Sequence, residues 1–127
     1  MSWEDLLQSV DKNDLLKTQR LIRMGLDVNF ISEKDGRTPL EIAVTNDSSS
    51  MVKLLLDCRA NVHRKNSHRD RVLHLASGRR GTEAIVIVCN LLLFGADPMA
   101  RERRGVTALH HACGHGVDLA IVRRLLE

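Results

Sequence analysis

Apolar residues fall along this chain in short helical stripes separated by polar breaks. Leu40 and Ala43 stand three apart and share one helix face. The run Asn46-Asp47-Ser48-Ser49-Ser50 then interrupts the pattern and reads as a turn. Val52, Leu55 and Leu56 form the inward stripe of a second, antiparallel helix. The same unit recurs. Thr38-Pro39-Leu40-Glu41-Ile42-Ala43 returns as Val72-Leu73-His74-Leu75-Ala76 and as Thr107-Ala108-Leu109-His110-His111-Ala112, with Ala43, Ala76 and Ala112 spaced 33 and 36 residues apart. The stretch from Leu21 to Asn29 likewise matches Leu55 to His63 and Leu91 to Met99. A period of this length predicts a stack of like supersecondary units, because one such unit is too small to bury its own apolar face.

Local chemistry agrees with that reading. Thr38 is placed to cap a helix with its hydroxyl, Pro39 to stand where no N–H bond is needed, and Glu41 to complete a capping box. Ala43 is small enough to let neighbouring helices approach closely. Gly25 and Gly95 follow second helices, where a left-handed cap is expected.

Taken together, the echoes give T-P-L-H-x-A, a polar turn, then V-x-x-L-L-x-x-G-A-D-V-N. This resembles the ankyrin repeat over essentially the whole chain. The resemblance implies an all-α solenoid of helix-turn-helix units joined by short hairpin-like fingers, the fingers starting at Asp27-Val28-Asn29 and its echoes. Four units in a single domain are expected, at about 2–35, 36–68, 69–104 and 105–127, the last incomplete. His74 and His110 fall on a structural histidine position of the family, where the imidazole is expected to hydrogen-bond and link adjacent loops.

Departures from the pattern carry their own expectations. Asp5-Leu6-Leu7-Gln8-Ser9-Val10 replaces the usual opening of the first unit, with Ser2 as a candidate cap and extra polar residues that suit a terminal unit with one face in water. Arg69-Asp70-Arg71 removes the turn glycine and cap hydroxyl of the third unit, so its first helix is expected to be the least protected, with Asp70 a candidate replacement cap. About three extra residues near Arg79-Arg80-Gly81-Thr82 predict a longer turn there. The fourth unit stops at Glu127 before a finger or polar cap, as expected of a fragment of a longer protein.

Charge sharpens the functional expectation. Residues 1–58 carry 7 Lys/Arg and 10 Asp/Glu, whereas residues 59–127 carry 12 and 6. The net charge of +3 therefore conceals an acidic first half and a basic second half. Arg64 and Lys65 with Arg69, and Arg101 with Arg103 and Arg104, would form a positive strip if successive fingers lie side by side, with Arg79 and His115 on the adjoining rim. Phe30 and Ile31 are adjacent apolar residues on a finger and cannot both face inward. One reading packs Phe30 or Ile31 on the next finger. The other makes them an exposed anchor at the acidic end of a binding face. Trp3 is expected to pack over the first helix pair.

These residues predict a protein-interaction module, an adaptor, scaffold or substrate-recognition arm whose basic residues steer an acidic segment. A sensor of a phosphorylated ligand or oligonucleotide is the alternative, weakened by the scarcity of aromatic rings to stack bases, with one Trp, two Phe and no Tyr. A regulatory arm of a larger enzyme is the third. No catalytic motif and no cofactor signature is present. His110-His111-x-Cys113-x-His115 lacks the second ligand pair of a zinc site. Cys58, Cys89 and Cys113 are an odd number at unrelated positions, which predicts reduced thiols and a cytoplasmic or nuclear setting. No apolar run reaches membrane-spanning length, and the first residues lack the basic-then-apolar pattern of a signal peptide.

Overall fold

The computed structural model describes residues 3–64, 71–77 and 82–97. Among the described residues six helices follow one another: α1 (Trp3–Asp11), α2 (Leu15–Arg23), α3 (Pro39–Thr45), α4 (Ser49–Asp57), α5 (Val72–Ser77) and α6 (Thr82–Leu93). They pack as consecutive pairs, α1 with α2, α3 with α4 and α5 with α6. Among the described residues there is no strand. The chain divides into two compact units, Met1–Asn61 and Val62–Glu127.

In the first unit the two pairs stack layer on layer, α1 against α3 and α2 against α4. The stripes expected from the sequence form the core: Leu40, Ala43, Val52, Leu55 and Leu56 are buried, joined by Leu6, Val10, Leu21 and Met51. Aligned on the turns, Ser9 occupies the place of Ala43, and Thr18 that of Val52. Their hydroxyls meet 2.8 Å apart inside the core. Ser9 also lies 2.8 Å from the Leu6 carbonyl and Thr18 2.8 Å from the Asp14 carbonyl, so two hydroxyl protons serve three contacts and one of the three is always without a hydrogen. In the second unit α6 buries Ala84, Ile87, Val88 and Leu91 at helical spacing, and α5 buries Val72, Leu73 and Ala76.

Every described reversal uses the same device. At the ends of α1, α2, α3, α4 and α6 the residues Asn13, Gly25, Asp47, Arg59 and Gly95 adopt positive φ. Each donates its N–H to the carbonyl three positions back, and the next residue bonds five back, as in Gly25 to Ile22 and Leu26 to Leu21. This two-bond closure satisfies carbonyls that the helix leaves open. Asp14 and Ser48 also serve as the N-caps of α2 and α4, so the reversal needs only three residues. Arg59, with φ of 71°, occupies the position held by glycine after α2 and α6.

Two expectations about length need correction. Ser49 and Ser50 belong to α4, because the Ser48 backbone carbonyl accepts the first helical bond, from the Val52 N–H at 2.9 Å. The three extra residues of the third unit lengthen its helix: α6 has 12 residues, where α2 and α4 have 9 each. Thr82-Glu83-Ala84 contains no glycine or proline to stop the helix from starting early.

Caps separate α3 from α5. The Thr38 hydroxyl accepts the Glu41 N–H while the Glu41 carboxylate accepts the Thr38 N–H, with Pro39 in the first turn. In α5 His74 stands where Glu41 does, and its ring Nδ1 accepts the Arg71 N–H at 3.1 Å. The histidine thus supplies the carboxylate's half of the box. Arg71 has no hydroxyl for the other half, and its Nε is buried without a partner among the described residues. Asp70, the candidate replacement cap, and Ser2 lie outside the described residues.

Two outcomes follow from these termini. Arg59→Gly should raise stability by about 0.5–1 kcal/mol in urea denaturation, the relief of left-handed strain less the added freedom of the unfolded glycine. Arg71→Thr should add about 1 kcal/mol by completing the box. In the unaltered chain the amides of α5 should exchange with deuterium faster than those of α3, and Arg71→Thr should narrow the gap.

Candidate functional site

The finger between α2 and α3 is turned back on itself by its own polar side chains. Val28 anchors its base in the core. The Asp27 carboxylate accepts the Asn29 N–H at 2.8 Å, and the Asp27 carbonyl accepts the Phe30 N–H at 3.1 Å. At the tip the Ser32 hydroxyl accepts from the Lys34 N–H and the Asp35 carboxylate from the Arg37 N–H. The Ser32 N–H meets the Arg37 carbonyl at 2.8 Å, which closes a short hairpin without regular strands. At the other side of the base, Asn29 reaches the following repeat. Its side-chain oxygen accepts the Asn61 N–H at 2.7 Å and its amide donates to the Arg59 carbonyl at 3.4 Å.

This path delivers Phe30 onto Trp3 at the start of α1. The rings stack with centroids 5.1 Å apart and planes 13° from parallel. Trp3 is therefore packed by a finger residue. Phe30 is half-buried and Ile31 is 46 % exposed, so the two neighbours are not both turned inward.

Beside the stacked pair lies an open groove of about 450 Å³. Trp3, Leu7, Phe30 and Ile42 give it an apolar surface, and Glu4, Asp11, Glu33 and Asp35 place carboxylates along it. Lys34 and Arg37 are the cations in its wall. Arg37 is engaged already, with Asp35 at 3.9 Å and with the Thr45 hydroxyl. Asp11 accepts the Asn46 side-chain amide at 3.0 Å. Glu4 and Glu33 make no ion pair among the described residues.

Of the basic positions singled out in the sequence, Arg64 is described and is half-buried; Lys65, Arg69, Arg79, Arg101, Arg103, Arg104 and His115 lie outside the described residues. So do His110, His111 and Cys113. Cys58 is half-buried and free, and burial raises its thiol pKa, with Asp57 adding to the rise and Arg23 opposing it. A thiol held protonated in this way suits packing better than attack. Among the described residues no group of His, Cys, Asp or Glu could hold a metal ion, and no helix is long and apolar enough to cross a membrane.

Sequence reasoning took Trp3 and Phe30 separately and missed the groove they border. Nothing periodic links two residues 27 positions apart. Two signals did point there: these are two of the three Trp and Phe side chains in the chain, and they lie in its acidic half.

Residues 6–88 match the family model for ankyrin repeats in three copies. The chain is 37% identical over 116 residues to ankyrin repeat and KH domain-containing protein mask-1 of Caenorhabditis elegans, covering 90% of this chain and 4% of that protein. Human ankyrin repeat and SOCS box protein 6 is 35% identical over 113 residues, covering 84% of this chain and 26% of the relative. The chain thus spans well under half the length of either relative. Among solved structures, the ankyrin repeat domain of Bcl-3, a member of the IkappaB protein family, superposes with a TM-score of 0.86 at 32% identity, covering 96% of this chain and 50% of that one. The helix pairs, the repeated closures and these likenesses agree that the fold is the all-α ankyrin-repeat solenoid, and the chain belongs to the ankyrin repeat family.

Proposed function

We propose that this chain is a protein-binding arm that works in the cytosol or nucleus as an adaptor, scaffold or substrate-recognition element. Ankyrin repeats are protein–protein interaction modules, and the chain belongs among them. The observation that carries the reading for this molecule is the division of labour within the first unit. Apart from Leu15 and Leu16 of α2, the apolar stripes of α1 to α4 are consumed in packing, while the finger holds Phe30, Ile31 and several charges at the surface. Rigid, pre-turned loops lower the ordering cost of recognition.

In the second half of the chain the surplus of basic residues favours an acidic element of the partner. Arg64, Lys65, Arg101 and Arg103 would steer it and set register, while affinity would come from a few buried anchors.

Charge reversal at Arg64, Lys65, Arg101 and Arg103 together should abolish capture of the partner from cell extract, as read by pulldown with mass spectrometry. Circular dichroism of the variant should show helix content and melting unchanged. Capture of the same partner by the reversed protein would remove the basic residues from the binding face.

A further inference from the structure

We propose that the groove of the first unit receives a basic segment of the partner protein, one that lays an apolar side chain against Trp3 and Phe30 and sets an arginine or lysine against Glu4 and Glu33. This rests on the protein-binding reading above and narrows it, because the basic half of the chain calls for an acidic element and this groove calls for the opposite sign.

Size comes first. A space of about 450 Å³ takes one or two side chains and their backbone. It does not take a folded domain, so the occupant is an extended or single-helix segment.

Aromatic surface comes next. Trp3 keeps 38% of its surface exposed although one face is covered by Phe30. A large ring locked by stacking offers contact area without further loss of rotamer freedom, which is the property of interface anchors. The same ring attracts a guanidinium or ammonium group through its π-face.

Charge sets the sign. Four carboxylates and two cations line the groove. Arg37 is bound to Asp35 and Thr45, and Asp11 is bound to Asn46. Glu4 on α1 and Glu33 and Lys34 on the finger make no ion pair among the described residues, two carboxylates against one ammonium. An acidic peptide or a phosphate group entering here would meet like charge at short range, where salt screens little. A basic one meets charge it can neutralise.

The test uses the full chain as bait for a random twelve-residue peptide display library. Selected peptides are then synthesised and titrated while the emission of Trp3, the single tryptophan, is followed. The expected result is enrichment of arginine or lysine beside an apolar residue, with the peptides shifting Trp3 emission. Their affinity should fall about tenfold or more in the double variant Glu4→Lys with Glu33→Lys and change little in Arg64→Glu with Lys65→Glu. Glu4 and Glu33 are exposed, and circular dichroism verifies that the variants fold. Failure to enrich any peptide, enrichment of acidic peptides, or equal affinity for the Glu4 and Glu33 variant would each overturn the proposal. Acidic peptides lost only in the Arg64 and Lys65 variant would sink the groove and leave the broader protein-binding reading standing.

Discussion

A chain that must fold back after every nine residues or so needs somewhere for the last carbonyls of each helix to go. Here the answer is a left-handed residue that returns two N–H groups onto the turn just completed, at Asn13, Gly25, Asp47, Arg59 and Gly95. At Asn13 and Asp47 the closure sets the angle between the partners of a helix pair, and at Gly25, Arg59 and Gly95 it sets how the chain leaves the pair. It therefore ties turn to core, since Ser9, Leu21, Ala43, Leu55 and Leu91 are both buried side chains and acceptors of the closing bonds. Local backbone chemistry and burial are coupled at the same residues, so the pairs are specified by short-range contacts. The finger inherits its starting direction from the closure at Gly25, and the groove exists only because that direction carries Phe30 to Trp3.

The fold was legible wherever one residue type at one offset answers one physical need. Thr38, Pro39 and Glu41 announced the start of α3, and Gly25 and Gly95 announced two reversals; all are found as expected. Legibility failed where two answers satisfy the same need. The serines after Asp47 suit a turn or a first helical turn equally, and the structure uses Ser49 and Ser50 in the helix. The additional residues of the third unit could lengthen a loop or a helix, and an alanine-containing stretch without breakers favours the helix. His74 was expected to hydrogen-bond, and its Nδ1 accepts from the backbone of its own helix start.

The candidate site was less legible because its parts come from different periodicities. Trp3 belongs to the irregular opening of the first unit, Phe30 to the finger and Ile42 to the regular repeat. Composition by halves anticipated the sign of the charge around them, since electrostatic character adds up along a segment even when contacts do not. What composition could not supply is that Asp11, Asp35 and Arg37 are already engaged, which leaves Glu4 and Glu33, outnumbering Lys34, to set the character of the groove. Net charge tells how a surface attracts at a distance; the pairing inside it tells what can settle there.

Asn29 holds the first finger to the following repeat by giving one backbone carbonyl a donor and one backbone N–H an acceptor. A hydroxyl carries both on one oxygen, whereas the short amide holds them on two separate atoms; aspartate offers oxygens alone and leucine neither. The link is thus vulnerable to a reaction that requires only water and time. Hydrolysis of this one amide would leave a negative oxygen facing the Arg59 carbonyl, so that chemical ageing at a single atom would pry two neighbouring loops apart while every helix beneath them stayed intact.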